Sequence, residues 1–394
     1  MKVFPSILLS LLIAILLFSC NNDEKNKNSS QGTEEIIIDV KHQTALPYDS
    51  IFKEIDYIKL ETTDENLIGQ ISQVIFIDSL IVVVDKENAR TVNVFDQTGK
   101  FLYPIGTKGN GPGEYVDISH VTYNRLKDRL ALYDKMQKRI INYNLKGEHL
   151  FTERPPFTLI YFEYLKNGGK AFYKGGTQDP LLGKLKDNPL YVTDSFNNPL
   201  YGDCYVYYKL NTFEYSSNSP LRTFDEMTYF SPDFSNVVYL VNDSMVAPKY
   251  HINIVENGMP PIDDNITDEM FQDYRNRYFI FNGDFIELDK FTYINIMTPK
   301  GYPFVLYSHK QKKTFFCNDQ ISHPIHPFLF NKAPKARYNE NTVVFDVSAY
   351  FLLFNKKELY DNYEAHQGWL DVLFDELDEE SNPILVLAHL NEEI

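Results

Sequence analysis

A segment of the chain repeats itself once at an interval of a little under fifty residues, and this repeat limits the possible folds more than any other feature. Three pairs of equivalent residues define the interval: Ile71 and Ile118 (47 apart), Asp85 and Asp134 (49 apart), and Gly99 and Gly147 (48 apart). Repeats of this length that contain several short strands are typical of the blades of a β-propeller. The chain is therefore predicted to be all-β.

Each repeat has the pattern of four antiparallel strands. In the first repeat, Asp78 and Ser79 form a short polar turn between two apolar runs, and Gly99 ends a second turn where a positive φ is needed. Asp85 and Arg90 bracket the turn between the second and third strands, as Asp134 and Arg139 do in the next repeat. We expect these side chains to hydrogen-bond that turn.

The segment from Asp85 to Tyr115, with Gly99-Lys100-Phe101-Leu102 and Gly109-Asn110-Gly111-Pro112-Gly113 inside it, resembles an NHL-type propeller repeat. The whole chain resembles the six-bladed β-propeller lipoproteins of the Bacteroidota. Six blades would share the 361 residues from 34 to 394 (394 − 34 + 1). That is roughly 60 residues per blade, against about 40–45 for a plain blade, so insertions are expected.

Two insertions in the C-terminal half have helical patterns. Thr267 is a capping residue before acids, and apolar residues up to about Phe281 fall on one face. A second helix is predicted over 368–377, before a strand at 384–389. An early apolar strand, 35–40, stands apart from the first repeat, and we expect it to pair with 384–389 and close the ring.

The N-terminus is predicted to be an export signal. Lys2 precedes an apolar run that ends in Leu17-Phe18-Ser19-Cys20, and this ending resembles a bacterial lipobox. The resemblance implies a signal peptide over 1–19, lipidation of Cys20, a polar tether over 20–33 and a propeller over 34–394. It also implies attachment to the outer membrane, on its periplasmic or outer side. An ordinary secretory signal that happens to end in cysteine is the alternative.

Charge and cysteine content narrow the possible partners. The net charge of −16 and the scattered Lys and Arg residues argue against a nucleic-acid surface. Besides Cys20 there are only Cys204 and Cys317, which allow one disulfide but are more simply explained as two thiols. The aromatic content, with 28 Tyr and 29 Phe, favours strands.

Several motifs suggest chemistry, but each has a simpler structural interpretation. Gly109–Gly113 is interpreted as a connection between blades rather than a phosphate-binding loop, and His323 and His326 as loop residues rather than zinc ligands. Two sets of acids are interpreted as solvated surface rather than calcium ligands: Asp371, Asp375, Glu376, Asp378, Glu379 and Glu380; and Asp263, Asp264, Asp284 and Glu287. The aromatic segments 161–164 and 205–208 are interpreted as alternating strand residues, with a sugar-stacking platform as the alternative.

No residue is therefore assigned a catalytic or metal-binding role, and no cofactor is expected. The leading hypothesis is a non-catalytic binding module for a glycan, peptide or protein partner. An alternative is a hydrolase or lyase, with or without a calcium requirement, whose inner-strand residues converge at the mouth of the channel. A third is a purely structural subunit of an outer-membrane assembly. Because one fold serves many functions, the sequence leaves these alternatives open.

Overall fold

The computed structural model describes residues 32–39, 45–203, 219–232, 234–262, 265–317 and 332–394. The signal peptide, Cys20, Cys204, the segment 205–208, Asp263, Asp264, His323 and His326 lie outside these ranges. The side chain of Cys317 does so too, so the structure does not test whether the two cysteines pair. Within the described ranges, no helix combines the length and apolar character needed to cross a membrane.

The N-terminal segment supplies strands to the ends of other blades. It consists of β1 (Glu34–Asp39), β2 (Ala45–Leu46), the one-turn helix α1 (Tyr48–Ile51) and β3 (Phe52–Lys59). The next three blades follow in chain order, and each is a four-stranded antiparallel sheet. Blade 1 comprises β4 (Gln73–Ile77), β5 (Leu80–Asp85), β6 (Thr91–Asp96) and β7 (Phe101–Pro104). A short parallel pair of strands, β8 (Thr107–Lys108) and β9 (Glu114–Tyr115), lies between blades 1 and 2. Blade 2 comprises β10 (His120–Asn124), β11 (Arg129–Asp134), β12 (Arg139–Asn144) and β13 (His149–Glu153). Blade 3 comprises β14 (Tyr161–Tyr164), β15 (Lys170–Tyr173), β16 (Leu190–Thr193) and β17 (Pro199–Asp203).

The last three blades each include a strand from the N-terminal segment. Blade 4 comprises β18 (Leu221–Phe224), β19 (Met227–Phe230), β20 (Val237–Val241) and β21 (Val246–Val255), with β1 at its outer edge. Blade 5 comprises β22 (Ile280–Glu287), β23 (Phe291–Met297), β24 (Phe304–Ser308) and β25 (Lys313–Cys317), with β2 at its edge. Blade 6 comprises β26 (Ala336–Asn339), β27 (Thr342–Val347) and β28 (Ile384–Leu390), and β3 is its fourth strand. The predicted all-β, six-bladed propeller is confirmed.

The N-terminal segment does close the ring, but through a different strand from the one predicted. β3 pairs antiparallel with β28, with Tyr57 opposite Val386. β1 instead pairs in parallel with β21, with Ile36 opposite Ile252. The expectation that 35–40 pairs with 384–389 is therefore wrong. Both N-terminal strands carry apolar residues, and an apolar strand pattern does not specify which sheet edge the strand joins.

The core lies between successive blades, where the apolar faces of two sheets meet. Val82 of blade 1 and Leu132 and Tyr143 of blade 2 belong to one such buried cluster. Blades 6 and 1 meet in another, which includes Val344 and Phe95. Large aromatic side chains fill these wedge-shaped spaces, and many of the tyrosines are almost completely buried. This packing accounts for the high aromatic content.

The hairpin and helix predictions agree with the structure. Gly99 and Gly147 adopt φ values of 86° and 82°, and a Cβ on Gly99 would lie 2.0 Å from the carbonyl oxygen of Lys59. Helix α2 (Asp268–Arg277) connects blades 4 and 5, and the Thr267 side chain accepts a hydrogen bond from the backbone N–H of Met270. Helix α2 ends before the predicted limit near Phe281, because Phe281 already belongs to β22. Between β27 and β28 lie α3 (Ala349–Phe354), α4 (Lys356–Asn362) and α5 (Gln367–Phe374), and α5 overlaps the helix predicted over 368–377.

Candidate functional site

A central cavity of about 440 Å³ runs along the inner strands of the propeller. The first strand of each blade faces the propeller axis, and residues from β4, β10, β14, β18, β22 and β26 all contribute to the wall. Lys86 and Lys335 are among the wall residues that adjoin the N-terminal ends of these strands, whereas Arg125 and Glu340 follow C-terminal ends. The wall is therefore assembled from residues far apart in the chain, and many of them are charged.

A buried carboxylate joins three blades in this wall. Glu163 of β14 accepts a hydrogen bond from Thr122 Oγ1 at 2.5 Å, and its other oxygen lies 3.1 Å from His120 Nε2. Thr223 of blade 4 donates to the same carboxylate at 3.3 Å. His120 is only 1 % exposed, so its imidazole offers almost no accessible surface. The network links blades 2, 3 and 4 and sets the shape of the wall.

Two arginines in the wall are neutralised by acids. Arg222 forms an ion pair with Asp284 and donates a hydrogen bond to the carbonyl oxygen of Phe285, so it joins blades 4 and 5. Arg337 of blade 6 pairs with Asp225 at 3.0 Å and with Asp289 at 2.9 Å. Because these guanidinium groups already have carboxylate partners, they contribute little net charge to a ligand site.

Lys86 differs from these arginines. It follows β5, is half-buried and lines the cavity, and its ammonium lies 5.9 Å from the centre of the Tyr161 ring. Among the described residues, no carboxylate or carbonyl oxygen lies within hydrogen-bond distance of this ammonium. Burial lowers the pKa of Lys86, and the charge of Lys335 lowers it further, while the nearby acids Glu87 and Asp117 oppose the shift. Among the described residues, the ammonium therefore has no ion-pair partner in the cavity wall.

The predicted turn-bonding role is confirmed for Asp85 and Asp134 but not for the two arginines. Arg139 donates instead to the carbonyl oxygen of Glu114 in the connection before the blade, and among the described residues the Arg90 side chain forms no hydrogen bond to the turn. The carboxylate of Asp85 accepts hydrogen bonds from the backbone N–H groups of Glu87 and Asn88 in the turn, and also from Gly69 and Gln70. Asp134 does the same for Gln137 and Val116. The segment 109–113 lies in the connection between blades 1 and 2, as predicted.

The candidate acids do not form a metal site within the described residues. No group of three or more His, Cys, Asp and Glu side chains there could hold an ion. The acids of 371–380 are exposed at the end of α5 and in the turn after it, as predicted. The interpretation as solvated surface is wrong for Asp284 and Glu287, because both are buried. Asp284 pairs with Arg222, whereas Glu287 accepts hydrogen bonds from Tyr250 at 2.6 Å and Thr292 at 2.9 Å. Burial raises the pKa of Glu287.

The aromatic segment 161–164 forms a strand as predicted, but none of its side chains is exposed, so the expected alternation of buried and exposed rings is wrong. One ring, that of Tyr161, lies beside Lys86. Phe162 and Tyr164 are buried between blades, whereas Tyr161 is half-buried beside the cavity. Sequence reasoning did not identify Lys86 or Glu163 as site residues. The sequence did contain a weak indication of a polar cavity. Gln73 and His120 are polar residues at equivalent positions, and each is the first residue of an inner strand, in blades 1 and 2 respectively.

The fold and this cavity define the protein as a six-bladed β-propeller with a charged central channel. The family described as a domain of unknown function, DUF4934, matches residues 34–389, and the chain belongs to this family. No curated protein matches the chain.

Solved structures include a close match in fold. A "Putative exported protein" of Bacteroides fragilis NCTC 9343 is 20% identical, with a TM-score of 0.75 over 91% of this chain and 99% of that one. A member of the duf4221 family from Bacteroides vulgatus ATCC 8482 is 8% identical, with a TM-score of 0.48 over 86% of this chain and 97% of that one. At 20% identity, the likeness to the Bacteroides fragilis protein concerns the fold alone.

Proposed function

We propose that the chain is an extracytoplasmic, lipid-anchored binding protein whose ligand, a glycan or a peptide, enters the central cavity. The observation that carries this proposal is the cavity itself, a space of about 440 Å³ with a charged wall. Its volume is in the range of small-molecule sites. A larger protein partner would have to be recognised through a segment inserted at the mouth of the channel.

Location and anchoring rest on other observations. The similar Bacteroides fragilis protein is described as exported, and the N-terminal sequence of this chain has an apolar run ending at Cys20. We expect the wild-type protein to incorporate labelled palmitate and to sediment with the outer membrane. Cys20→Ala should lose both properties. Sedimentation of the variant with the membrane, and equal labelling, would contradict a lipid anchor at this position.

Ligand binding is tested on the full chain purified in detergent. Thermal-shift and calorimetric screens against glycans and peptides should detect a ligand. Ser219→Trp should block the cavity with a bulky side chain, because Ser219 lines the cavity at the start of blade 4. We expect this variant to keep its circular dichroism spectrum and to lose the ligand. If the obstructed channel bound every ligand as tightly as the wild type, the cavity would not be the binding site.

A hydrolase or lyase acting in the same cavity is the second candidate. The lowered pKa of Lys86 favours it, since an amine that is neutral at a lower pH can accept a proton from a substrate. Lys86→Arg separates the two functions, because guanidinium retains the charge but does not accept a proton. Binding without turnover, unchanged in Lys86→Arg, supports the binding protein. Turnover that this substitution abolishes supports the enzyme. Metal analysis of the same sample tests for calcium dependence.

A further inference from the structure

Cations outnumber acids among the residues that line the cavity, although the chain as a whole has a net charge of −16. The cations are Lys86, Arg125, Arg222, Lys335 and Arg337; the acids are Glu163, Asp225 and Glu340. Three acids that are not among these lining residues, Asp284, Asp289 and Asp346, neutralise Arg222, Arg337 and Lys335. The charge that a ligand meets therefore varies along the cavity and depends on which cations have no ion-pair partner.

Once the internal ion pairs are subtracted, two cations remain without an acidic partner among the described residues. Arg222 and Arg337 are paired, and Lys335 lies 3.7 Å from Asp346. Lys86 contacts only the face of Tyr161, and Arg125, which is exposed, lies over the ring of Tyr123. Of these two, only Lys86 is half-buried, so it gains more from an anion placed beside it.

Lys86 lies between opposing charges at its end of the cavity. The charge of Lys335 acts unfavourably on its ammonium, whereas Glu87 and Asp117 act favourably. None of the described carboxylates lies within hydrogen-bond distance of the ammonium, so a ligand carboxylate at the cavity wall can accept a hydrogen bond that no described protein acid accepts.

The remaining wall indicates what the rest of the ligand resembles. The rings of Phe76 and Tyr338, which pack edge to face with centroids 4.9 Å apart, line the cavity together with the half-buried side chains of Ser72 and Ser219. Aromatic faces pack against the C–H faces of sugar rings, and hydroxyl groups exchange hydrogen bonds with those of the sugar. A peptide would instead require backbone partners along an open sheet edge.

We infer that the central cavity binds a small acidic carbohydrate, such as a uronic acid, and that Lys86 holds its carboxylate. This inference rests on the proposed function and names the ligand class for the same cavity. Lys86 is a binding residue, Lys335 assists it, and the aromatic wall receives the sugar ring.

The repeat supplies a matched control for Lys86. Lys135 occupies the equivalent position in blade 2, directly after Asp134, but it is exposed and does not line the cavity. The two lysines therefore share their sequence context and differ in whether they face the cavity. Comparison of Lys86→Met with Lys135→Met separates ligand recognition from a general loss of positive charge.

The experiment is isothermal titration calorimetry on the full chain in detergent. The probes are D-glucuronate, D-galacturonate and their dimers, with glucose and galactose as neutral counterparts and inorganic sulfate and phosphate as simple anions. We expect a uronate to bind, the neutral sugars to bind at least tenfold more weakly, and the simple anions to bind weakly. Lys86→Met should weaken uronate binding at least tenfold, whereas Lys135→Met should leave it unchanged.

Stability provides a second readout that a purely structural lysine would not reproduce. Lys86→Met removes a half-buried charge that has no ion-pair partner among the described residues, so the variant should melt no lower than the wild type. Uronate binding that survives Lys86→Met would overturn the inference. So would equal affinity for neutral sugars, equal affinity for sulfate or phosphate, or no uronate binding at all.

These failures are distinguishable from a failure of the proposed function. If uronates do not bind but another glycan or a peptide does, and Ser219→Trp abolishes that binding, the ligand class is wrong and the cavity remains a binding site. If Ser219→Trp leaves every affinity unchanged, the cavity itself is not the site.

Discussion

The placement of β1 on blade 4 makes a prediction that three consecutive isoleucines can test. Ile36 and Ile38 are fully buried against the core of blades 4–6, whereas Ile37 between them is 52 % exposed. Substitution of Ile38 by alanine should therefore destabilise the propeller strongly, and the same substitution at Ile37 should not. The two changes remove the same atoms from the same strand, one residue apart.

The expected cost follows from burial. Ile→Ala removes about three methylene equivalents, worth roughly 0.8 kcal/mol each when fully buried, or about 2.4 kcal/mol in transfer free energy. The cavity that remains brings the total to about 2–5 kcal/mol. Ile37→Ala should change the free energy of unfolding by no more than about 0.5 kcal/mol. With an unfolding entropy of about 2.1 cal/mol/K per residue over ~360 residues, 3 kcal/mol corresponds to a fall of roughly 4 °C.

The assay is thermal and urea unfolding followed by circular dichroism, with the full chain in detergent. Ile38→Ala should melt several degrees below the wild type, and Ile37→Ala should melt at the same temperature as the wild type. If both variants melted like the wild type, β1 would not be docked on the propeller. If Ile37→Ala were the more harmful, the strand would face the opposite way, and its pairing with β21 would be wrong.

Three further predictions test the closure of the ring, the wall of the cavity and the role of Lys86. Phe52→Ala, in the strand that completes blade 6, should lower the free energy of unfolding by about 3–5 kcal/mol, because the phenyl side chain is almost completely buried. Lys53 in the same strand is exposed, so Lys53→Ala is the control in the same urea titration. Glu163→Ala should cost about 1–3 kcal/mol, because its buried partners His120 and Thr122 lose their acceptor. Unfolding at the same urea concentration as the wild type would show that the network is dispensable. Affinity for an acidic ligand should fall as the pH rises through the pKa of Lys86, which burial holds below the ordinary 10.5 and which Lys335 lowers further. Calorimetry over a series of pH values tests this, and Lys86→Arg should keep its affinity throughout.

The local elements were predictable because their determinants are local. Gly99 and Gly147 adopt the positive φ that their hairpins require, and Thr267 caps the helix that its sequence predicts. Asp85 and Asp134 hydrogen-bond the turns they bracket. Each of these depends on contacts within a few residues, so a short pattern contains the necessary information.

The choice of partner for β1 and β3 was not predictable in the same way. Both are short strands with buried residues on one face, and both join an open sheet edge. Which edge each one joins depends on the distances between edges after the ring has formed. The pattern of apolar residues along a strand determines which face is buried but not which neighbour buries it.

The cavity shows most clearly the difference between what local sequence determines and what the tertiary structure determines. The period of the repeat, its turns and its apolar alternation determined that blades form and stack, because each repeat unit contains these features. Lys86 and Lys135 have equivalent positions in that repeat, yet only Lys86 lines the cavity. Its environment is set first by burial and also by the charge of Lys335, which acts on it because the ring brings blade 6 beside blade 1. Closure of the ring therefore created the charged site, since the groups that define it meet only in three dimensions.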